Sequence, residues 1–200
     1  MDETAFEAKR GRGTWLHEEI AATAGEVVGV DNSAQVPEHG IKTGPTASIH
    51  RVDVGGLSGF LGARQFDPDV IVAGELIEHV ENPLAFLRSL QAIDRLRGKM
   101  LLLSTPNATA FHNVFVGLLS RESTHHDHLS ILSYKTLCTL CLRTGLKEWD
   151  LIPYYARFTE MRERNVGWRR KLVAAGEVGV NGVEWLFPML SFGYVVRAII

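Results

Sequence analysis

Short apolar runs alternate with longer segments of helical periodicity along most of the chain. The apolar runs are rich in β-branched residues and predict six strands, at 25–31, 47–54, 69–74, 99–107, 146–154 and 191–200. Between them, apolar residues recur at about 3.6-residue spacing, which predicts helices. These helical segments are 14–24, 82–96 and 133–145. The alternation is typical of an α/β domain whose doubly wound, mostly parallel sheet carries helices on both faces.

Two of the predicted helices have clear end signals. Asn82 is placed to cap the second helix, and Pro83 follows it at the first helical position. Ser133 is placed to begin the third helix, and Gly145 to end it in a left-handed conformation. These signals predict both helices from local chemistry alone.

The segment 154–190 does not follow the alternation. Five arginines and one lysine lie within 157–171, followed by a glycine-rich piece. We predict a single domain over 1–200, with 154–190 as an insertion before the last strand that forms a lid over the site or lies on the surface. The basic side chains suit a solvated helix face or the grip of an anionic acceptor. The aromatic residues Phe111, Phe115, Trp168 and Trp185 are expected in the core first, or else along an apolar acceptor pocket.

The composition narrows the class of protein. The chain is 46% hydrophobic and 22% charged, as expected of a globular protein, and its net charge of -2 argues against a nucleic-acid partner. The polar N-terminus predicts no leader. The apolar stretch 182–200 is interrupted by Glu184, Pro188 and Arg197, so we expect no transmembrane span, while contact with a membrane surface stays open.

The two cysteines indicate the compartment. Cys138 and Cys141 have Cys-x-x-Cys spacing, but they lie in the apolar run LCTLCL of a predicted helix. The spacing lacks the second ligand pair of a zinc finger. We expect core thiols and a reducing, cytoplasmic location.

Acidic residues follow three successive predicted strands. They are Asp31, Asp53 and Glu75. Because parallel strands end at one edge of a sheet, where ligands bind, the three acids predict a shared ligand. Asp31 stands where a carboxylate takes the two hydroxyls of a ribose. Upstream, Gly11 and Gly13 form a Gly-x-Gly turn that would let the backbone approach a nucleoside-type cofactor.

Several blocks together resemble the class I S-adenosylmethionine (SAM)-dependent methyltransferases. The blocks are GRGTWL, VVGVDNS, RVDV, DVIVAGELIEHVENP and GKMLLLSTPN, and the likeness covers roughly 7–153 with the last strand at 192–200. The nearest branch is the one in which the fourth strand runs into Glu-x-x-Glu-His and the fifth ends in Thr-Pro-Asn, as in ubiquinone-biosynthesis-type O-methyltransferases. The resemblance implies a Rossmann-like, seven-stranded-type fold with a shortened N-terminus.

The resemblance also implies the residues that bind SAM. Gly11 and Gly13 would lie beside its methionine part, and Asp31 would bind the ribose. The remaining positions are Asn32 and Ser33 beside the adenosine, Asp53 and Val54 at the adenine, and Gly74 and Glu75 under the cofactor.

The first motif departs from the family pattern, which is acid-x-Gly-x-Gly-x-Gly. Glu7 stands at the acid and Lys9 at the first glycine. Lys9 would repel a sulfonium. The departure supports an alternative function, a non-catalytic methyltransferase-like binding or scaffold module. An enzyme that uses a dinucleotide is a further alternative, but it leaves the Glu-x-x-Glu-His and Thr-Pro-Asn blocks unexplained.

The Glu-x-x-Glu-His motif has three alternative roles. In the branch that it resembles, Glu75, Glu78 and His79 would hold a divalent cation such as Mg, with His128 of the run THHDHLS as a further ligand. Alternatively, His79 and Glu78 act in catalysis without a metal, or the motif is a structural turn beside a solvated histidine loop. The function implied is methylation of a small-molecule acceptor, with oxygen the better candidate, and Asn107 of STPN either reaches the acceptor or only forms a turn.

Overall fold

The structure is a computed structural model that describes residues 15–122 and 124–200. Four of the positions discussed above, Glu7, Lys9, Gly11 and Gly13, lie outside the described residues. The chain divides into two compact units, one that ends at Asp67 and one that comprises Pro68–Ile200.

The first unit is built on a three-stranded sheet. Its elements are α1 (Leu16–Ala21), β1 (Val27–Asp31), β2 (Ile41–Lys42), β3 (Ala47–Arg51), a 3-10 turn (Val54–Gly56) and α2 (Leu57–Arg64). The strand order is β1-β3-β2, with β1 parallel and β2 antiparallel to β3. Asp31 is paired with Arg51, so the carboxyl ends of β1 and β3 lie side by side.

The second unit is built on a four-stranded sheet in the order β4-β5-β7-β6. Its strands are β4 (Val70–Gly74), β5 (Met100–Pro106), β6 (Lys147–Tyr154) and β7 (Gly193–Ile199). Its helices are α3 (Pro83–Gln91), α4 (Phe111–Leu118), α5 (Tyr134–Thr144), α6 (Thr159–Arg164) and α7 (Gly167–Leu186), with 3-10 turns at Ile77–His79, Asp94–Leu96 and Pro188–Leu190. Strands β4 and β5 are parallel, while β7 is antiparallel to both β5 and β6.

The α/β architecture predicted from the sequence is confirmed, and all six predicted strands and three predicted helices are present. The predicted helix caps also form. The Asn82 side chain accepts a hydrogen bond from the Ala85 amide (3.0 Å), and Ser133 accepts one from the Thr136 amide (3.3 Å). Gly145 ends α5 with a φ of 72°, a conformation that favours glycine.

Outside the segment 154–190, the strand β2 and the helices α2 and α4 were not predicted. Strand β2 has only two residues and exists through its antiparallel pairing with β3, so it leaves no local signal. The sheets are mixed, because parallel pairing is confined to β1 with β3 and β4 with β5 among the described residues.

Helices fill most of the segment 154–190. Strand β6 continues to Tyr154, and α6 and α7 then pack against each other before β7 begins. An ion pair between Arg162 of α6 and Glu177 of α7 joins the two helices at 3.3 Å. Whether the segment acts as a lid stays a prediction. No helix within 15–122 and 124–200 is long and apolar enough to cross a membrane.

Cys138 and Cys141 are free thiols on α5, as expected. Cys141 is buried and lies in the core of the second unit. Burial raises the pKa of the Cys141 thiol to about 11. The thiol therefore stays protonated near neutral pH and acts as a packing group.

Glu184 is a fully buried carboxyl on α7. Its carboxylate accepts a hydrogen bond from the backbone amide of Ala156 at 2.9 Å, which connects α7 to the chain after β6. Burial raises the pKa of Glu184 above its usual value, against the opposing effect of backbone hydrogen bonds.

We predict that Glu184→Gln stabilises the protein more at high pH than at low pH. Because the folded pKa of Glu184 is raised, the wild-type protein loses stability as pH rises through the unfolded value toward the folded one. The amide has no charge to bury, so the free energy of unfolding of the variant should exceed that of wild type near pH 8 and should exceed it by less near pH 4.5. Urea unfolding at both pH values measures the difference.

The matched control is Glu81→Gln, which changes an exposed carboxyl. Its effect should be within about 0.5 kcal/mol and independent of pH over the same range. A pH-independent effect of Glu184→Gln would contradict the prediction.

Candidate functional site

The candidate site begins where β4 ends. Glu75 directly follows the strand and has a φ of 47°, in the left-handed region that a residue other than glycine adopts at a cost. Its amide donates to both the carbonyl and the hydroxyl oxygen of Ser104, each at 3.1 Å. The neighbouring strand β5 therefore holds the chain in a sharp turn at the carboxyl end of β4.

The 3-10 turn Ile77–His79 follows and orients the two charged residues of the motif differently. Ile77 and Glu78 are fully buried, whereas His79 is exposed. The Glu78 carboxylate accepts a hydrogen bond from the hydroxyl of Thr105 at 3.0 Å. Burial raises the pKa of Glu78 to about 7, and the charge of Glu75 acts in the same direction.

A loop from α4 to α5 is tied to this turn. The amides of Leu129 and Ser130 donate to the carbonyl oxygen of Glu78 at 2.8 and 3.2 Å. These bonds place His128 against His79, with ring centroids 4.8 Å apart. His79 Nδ1 lies 3.2 Å from the carbonyl oxygen of Asp127, which can only accept. In the neutral ring, this contact places the proton on Nδ1 and leaves Nε2 as the acceptor.

Glu78, His79 and His128 form the cluster that we call the Glu-His site. One ligand atom of each lies within 4.8 Å of the others. Glu78 Oε1 and His128 Nδ1 are buried and have no hydrogen-bond partner among the described residues. Burial, with smaller effects of His79 and His125, lowers the pKa of His128 and favours its neutral, ligating form. One carboxylate and two imidazoles suit Mn or Zn, so these residues fit a divalent cation.

Glu75, the fourth predicted ligand, is directed to other partners. Its Oε1 accepts hydrogen bonds from the hydroxyls of Ser104 and Tyr154, each at 2.8 Å. Burial and the charge of Glu75 raise the pKa of Tyr154 above its usual range, so the phenol stays a donor. Tyr154 passes close over Gly193 of β7, where a Cβ would clash with its ring. The structure thus brings together three of the four predicted ligands.

Three polar residues of this region were given no individual role from the sequence. They are Ser104, Thr105 and Tyr154, which bond the two carboxylates of the motif. The strand alternation of β5 predicts that Ser104 and Thr105 point to opposite faces, which could have indicated separate partners. Tyr154 reaches Glu75 only through the register of β6 with β7, which carries no local signal.

His125 and His126 lie on the outer part of the loop, beside Asp127. Their ligand atoms are within 4.8 Å of one another, but all three side chains are exposed. His126 Nε2 lies 3.2 Å from the Asp127 carboxylate. The exposure agrees with a solvated histidine loop, and His128 is the member that reaches His79.

The two strand-end acids predicted in the first unit, Asp31 and Asp53, lie at one edge of its sheet. Asp31 ends β1, and its Oδ1 accepts from the amide of Ser33 at 2.7 Å. Asp53 follows β3 and caps the turn that begins at Val54, accepting from the amide of Gly55 at 2.8 Å. Asn32 is exposed beside them. The predicted convergence of strand-end acids therefore holds for Asp31 and Asp53 within this unit.

Asn107 is a structural residue. It is fully buried and donates to the carbonyl oxygens of Met189 and Ser191 at 3.0 and 2.9 Å. Its own side-chain oxygen accepts two bonds from Thr109, both at 3.0 Å. The nitrogen and the oxygen of the Asn107 side chain are therefore both hydrogen-bonded within the protein. This favours the turn role over contact with a methyl acceptor.

Comparison with known proteins places this architecture in a family. Residues 11–151 match the family described as methyltransferase domain. No match to a curated protein is found.

Solved structures agree on the fold. A SAM-dependent methyltransferase from Archaeoglobus fulgidus is similar with a TM-score of 0.54 and 13% identity, over 92% of this chain and 80% of that chain. The plantazolicin methyltransferase BamL, solved with a triazolic desmethylPZN analog and SAH, is similar with a TM-score of 0.53 and 16% identity, over 91% of this chain and 71% of that chain.

The family and the fold together define the class of protein. This chain belongs to the methyltransferase domain family, and it has the Rossmann-like fold of the two methyltransferases described above.

We predict that Asn107→Ala destabilises the protein strongly. It removes four hydrogen bonds from a fully buried position and takes the Asn107 donor away from the carbonyl oxygen of Ser191, before β7. The free energy of unfolding should fall by about 2–4 kcal/mol, measured by urea unfolding. Asn32→Ala, at an exposed amide, should change it by about 0.5 kcal/mol or less. A similarly small effect of Asn107→Ala would contradict the structural role.

Proposed function

We propose that this methyltransferase acts on an oxygen nucleophile of a small-molecule acceptor, and that the Glu-His site prepares that nucleophile. The observation that carries the proposal is the clustering of Glu78, His79 and His128 at the carboxyl end of β4. An alcohol or phenol needs help to lose its proton near neutral pH, and imidazole and carboxylate groups provide it. SAM supplies the activated methyl group, and the chain supplies position and proton removal.

We assign the SAM-binding residues from the family resemblance. Asp31 binds the ribose hydroxyls, and Asp53 with Val54 receives the adenine. The adjacent ends of β1 and β3 support this pair, since a single nucleoside spans such a distance along one sheet edge. The further positions are Gly11, Gly13, Asn32, Gly74 and Glu75.

The Glu-His site holds a divalent cation in this proposal. Two side-chain atoms of its residues, Glu78 Oε1 and His128 Nδ1, are buried without hydrogen-bond partners among the described residues. A buried polar atom of this kind costs stability unless a ligand satisfies it. The backbone carbonyl of Asp127 orients His79 in the way that the outer partners of metal-binding histidines do. A bound cation would lower the pKa of an acceptor hydroxyl.

The second candidate mechanism uses the same residues without a cation. The orientation of His79 leaves its Nε2 as the acceptor atom of an exposed ring. Nε2 would take the proton of the acceptor hydroxyl directly, and Glu78 would hold the turn that positions it.

The segment 154–190 forms a lid over the acceptor in this proposal. Its first residue, Tyr154, donates a hydrogen bond to Glu75 at the end of β4. The segment therefore starts next to the Glu-x-x-Glu-His motif. Its helices α6 and α7 would set the selectivity for the acceptor.

We predict that Asp31→Asn weakens SAM binding. The neutral amide loses the charge-assisted hydrogen bonds that a carboxylate forms with ribose hydroxyls, so Kd should rise by about tenfold or more. Isothermal titration calorimetry with SAM and with S-adenosylhomocysteine measures the change. Asp69→Asn, at an exposed acid of the second unit, is the matched control and should leave Kd unchanged. No detectable heat for the wild-type chain at millimolar cofactor would favour the non-catalytic module.

We predict that the wild-type chain binds Mn²⁺ and that Glu78→Gln and His128→Gln each weaken the binding at least about tenfold. Electron paramagnetic resonance of free Mn²⁺ reports binding without any assay of turnover. His39→Gln, at an exposed histidine of the first unit, should bind like wild type.

Turnover separates the two mechanisms. EDTA should remove activity if the cation is required, and added Mn²⁺ should restore it. Methyl transfer that resists EDTA but is lost in His79→Gln would instead assign His79 as the base. Full turnover of both His79→Gln and Glu78→Gln would remove the Glu-His site from the mechanism.

A further inference from the structure

Helix α7 carries a row of exposed apolar side chains on one face. Trp168, Leu172 and Leu186 are 68%, 60% and 63% exposed. Their spacing, together with that of Ala175, Gly179 and Gly182 between them, puts all six residues along one face of the helix. A surface helix of a globular protein normally presents this face to the core.

Two carboxyls of α7 lie on its inner side, together with the half-buried Val173 and Val180. Glu184 is fully buried and accepts from the Ala156 amide at 2.9 Å. Glu177 is paired with Arg162 of α6 at 3.3 Å, with its side chain 13% exposed. These contacts fix the rotation of the helix about its axis, because a rotation that buried the exposed apolar face would break both of them.

Neighbouring elements extend the exposed apolar area. Phe187 and Met189, directly after α7, are 58% and 52% exposed. Helix α4 contacts α7 and ends with Leu118, which is 80% exposed. We call this set the apolar surface; its members are Trp168, Leu172, Leu186, Phe187 and Met189, with Val114, Phe115, Leu118 and Leu119 from α4 and the residue after it. Contiguous apolar patches of this kind mark a binding surface.

The charge beside the apolar surface selects the partner. Residues 161–171 contain five basic residues and one acid, although the whole chain has a net charge of -2. Arg169, Arg170 and Lys171 are exposed in the first turns of α7, next to Trp168. Exposed apolar residues, flanking cations and tryptophan together suit the boundary of an anionic bilayer, where tryptophan rings lie at the headgroups.

We propose that the apolar surface of α7 and α4 docks on an anionic phospholipid bilayer, with Arg169, Arg170 and Lys171 at the headgroups. Helix α7 would lie along the bilayer surface, because its two buried carboxyls and its basic first turns prevent it from spanning the acyl layer. Trp185, 69% exposed beside the apolar face, would lie at the same boundary as Trp168. The proposal concerns a surface distinct from the Glu-His site and holds whatever the acceptor is.

Vesicle binding tests the proposal. The full chain is mixed with vesicles of phosphatidylglycerol and phosphatidylcholine and separated by flotation. It should bind these vesicles, bind pure phosphatidylcholine vesicles weakly, and lose binding as salt rises. Tryptophan emission should shift to shorter wavelength on binding, and brominated lipids should quench it in wild type more than in the double variant Trp168→Phe with Trp185→Phe.

Two variants separate the apolar and the electrostatic contributions. Leu172→Glu combined with Leu186→Glu places charge on the apolar surface, and the triple variant R169E, R170E and K171E reverses the charge beside it. Each should reduce the partition coefficient for anionic vesicles at least about tenfold. The matched control is Leu142→Glu on α5, a leucine that is 69% exposed outside the apolar surface, and it should bind like wild type.

The outcomes are distinct from those of the methyl-transfer experiments. Folding of each variant is checked by circular dichroism, since all of the substituted side chains are exposed. Absence of vesicle binding by wild type, or equal binding by the Leu172 and Leu186 variant, would overturn the proposal. Sedimentation velocity provides another decisive outcome: a wild-type dimer that this variant converts to monomer would assign the surface to a second copy and overturn the lipid assignment.

Discussion

The buried carboxyl of Glu78 is the constraint on which the candidate site depends. A carboxyl group that is buried away from water needs hydrogen-bond partners. The Thr105 hydroxyl of the neighbouring strand donates one hydrogen bond to Glu78. The backbone carbonyl of the same residue holds the amides of Leu129 and Ser130, which brings the histidine loop to the turn. One residue therefore connects β4, β5 and the loop. His79 and His128 meet because Glu78 is held there.

Helix α7 shows the same physical rule in a different setting. Its buried carboxyls are acceptable because Arg162 and the Ala156 amide partner them. The apolar face of the helix is then exposed to water. This exposure costs free energy, and a globular protein normally avoids it. A partner surface that covered this face would reduce the free-energy cost of exposing it. Tyr154, the last residue of β6, donates a hydrogen bond to Glu75. The segment 154–190 therefore begins beside the Glu-x-x-Glu-His motif and continues to the apolar surface.

Much of the fold was predictable because its signals are local. Strand alternation, the caps at Asn82 and Ser133 and the left-handed stop at Gly145 depend on a few neighbouring residues each. The motif DVIVAGELIEHVENP indicated the site for the same reason, since it lies within one strand and the turn that follows. The same reasoning from local sequence gave the wrong burial for three aromatic residues. Phe115, Trp168 and Trp185 were expected in the core, and they are exposed.

The sequence by itself determined the order of six strands and three helices, the class of cofactor implied by its motifs, and the identity of the acidic and imidazole groups. Only the tertiary structure decided which of those groups meet. Glu75 turns to Tyr154 through the register of β6 with β7, and His128 joins His79 through hydrogen bonds across about fifty residues of chain. Sequence periodicity reports which face of an element is apolar. It does not report whether that face is directed inward, because that depends on long-range partners such as Arg162 and the Ala156 amide.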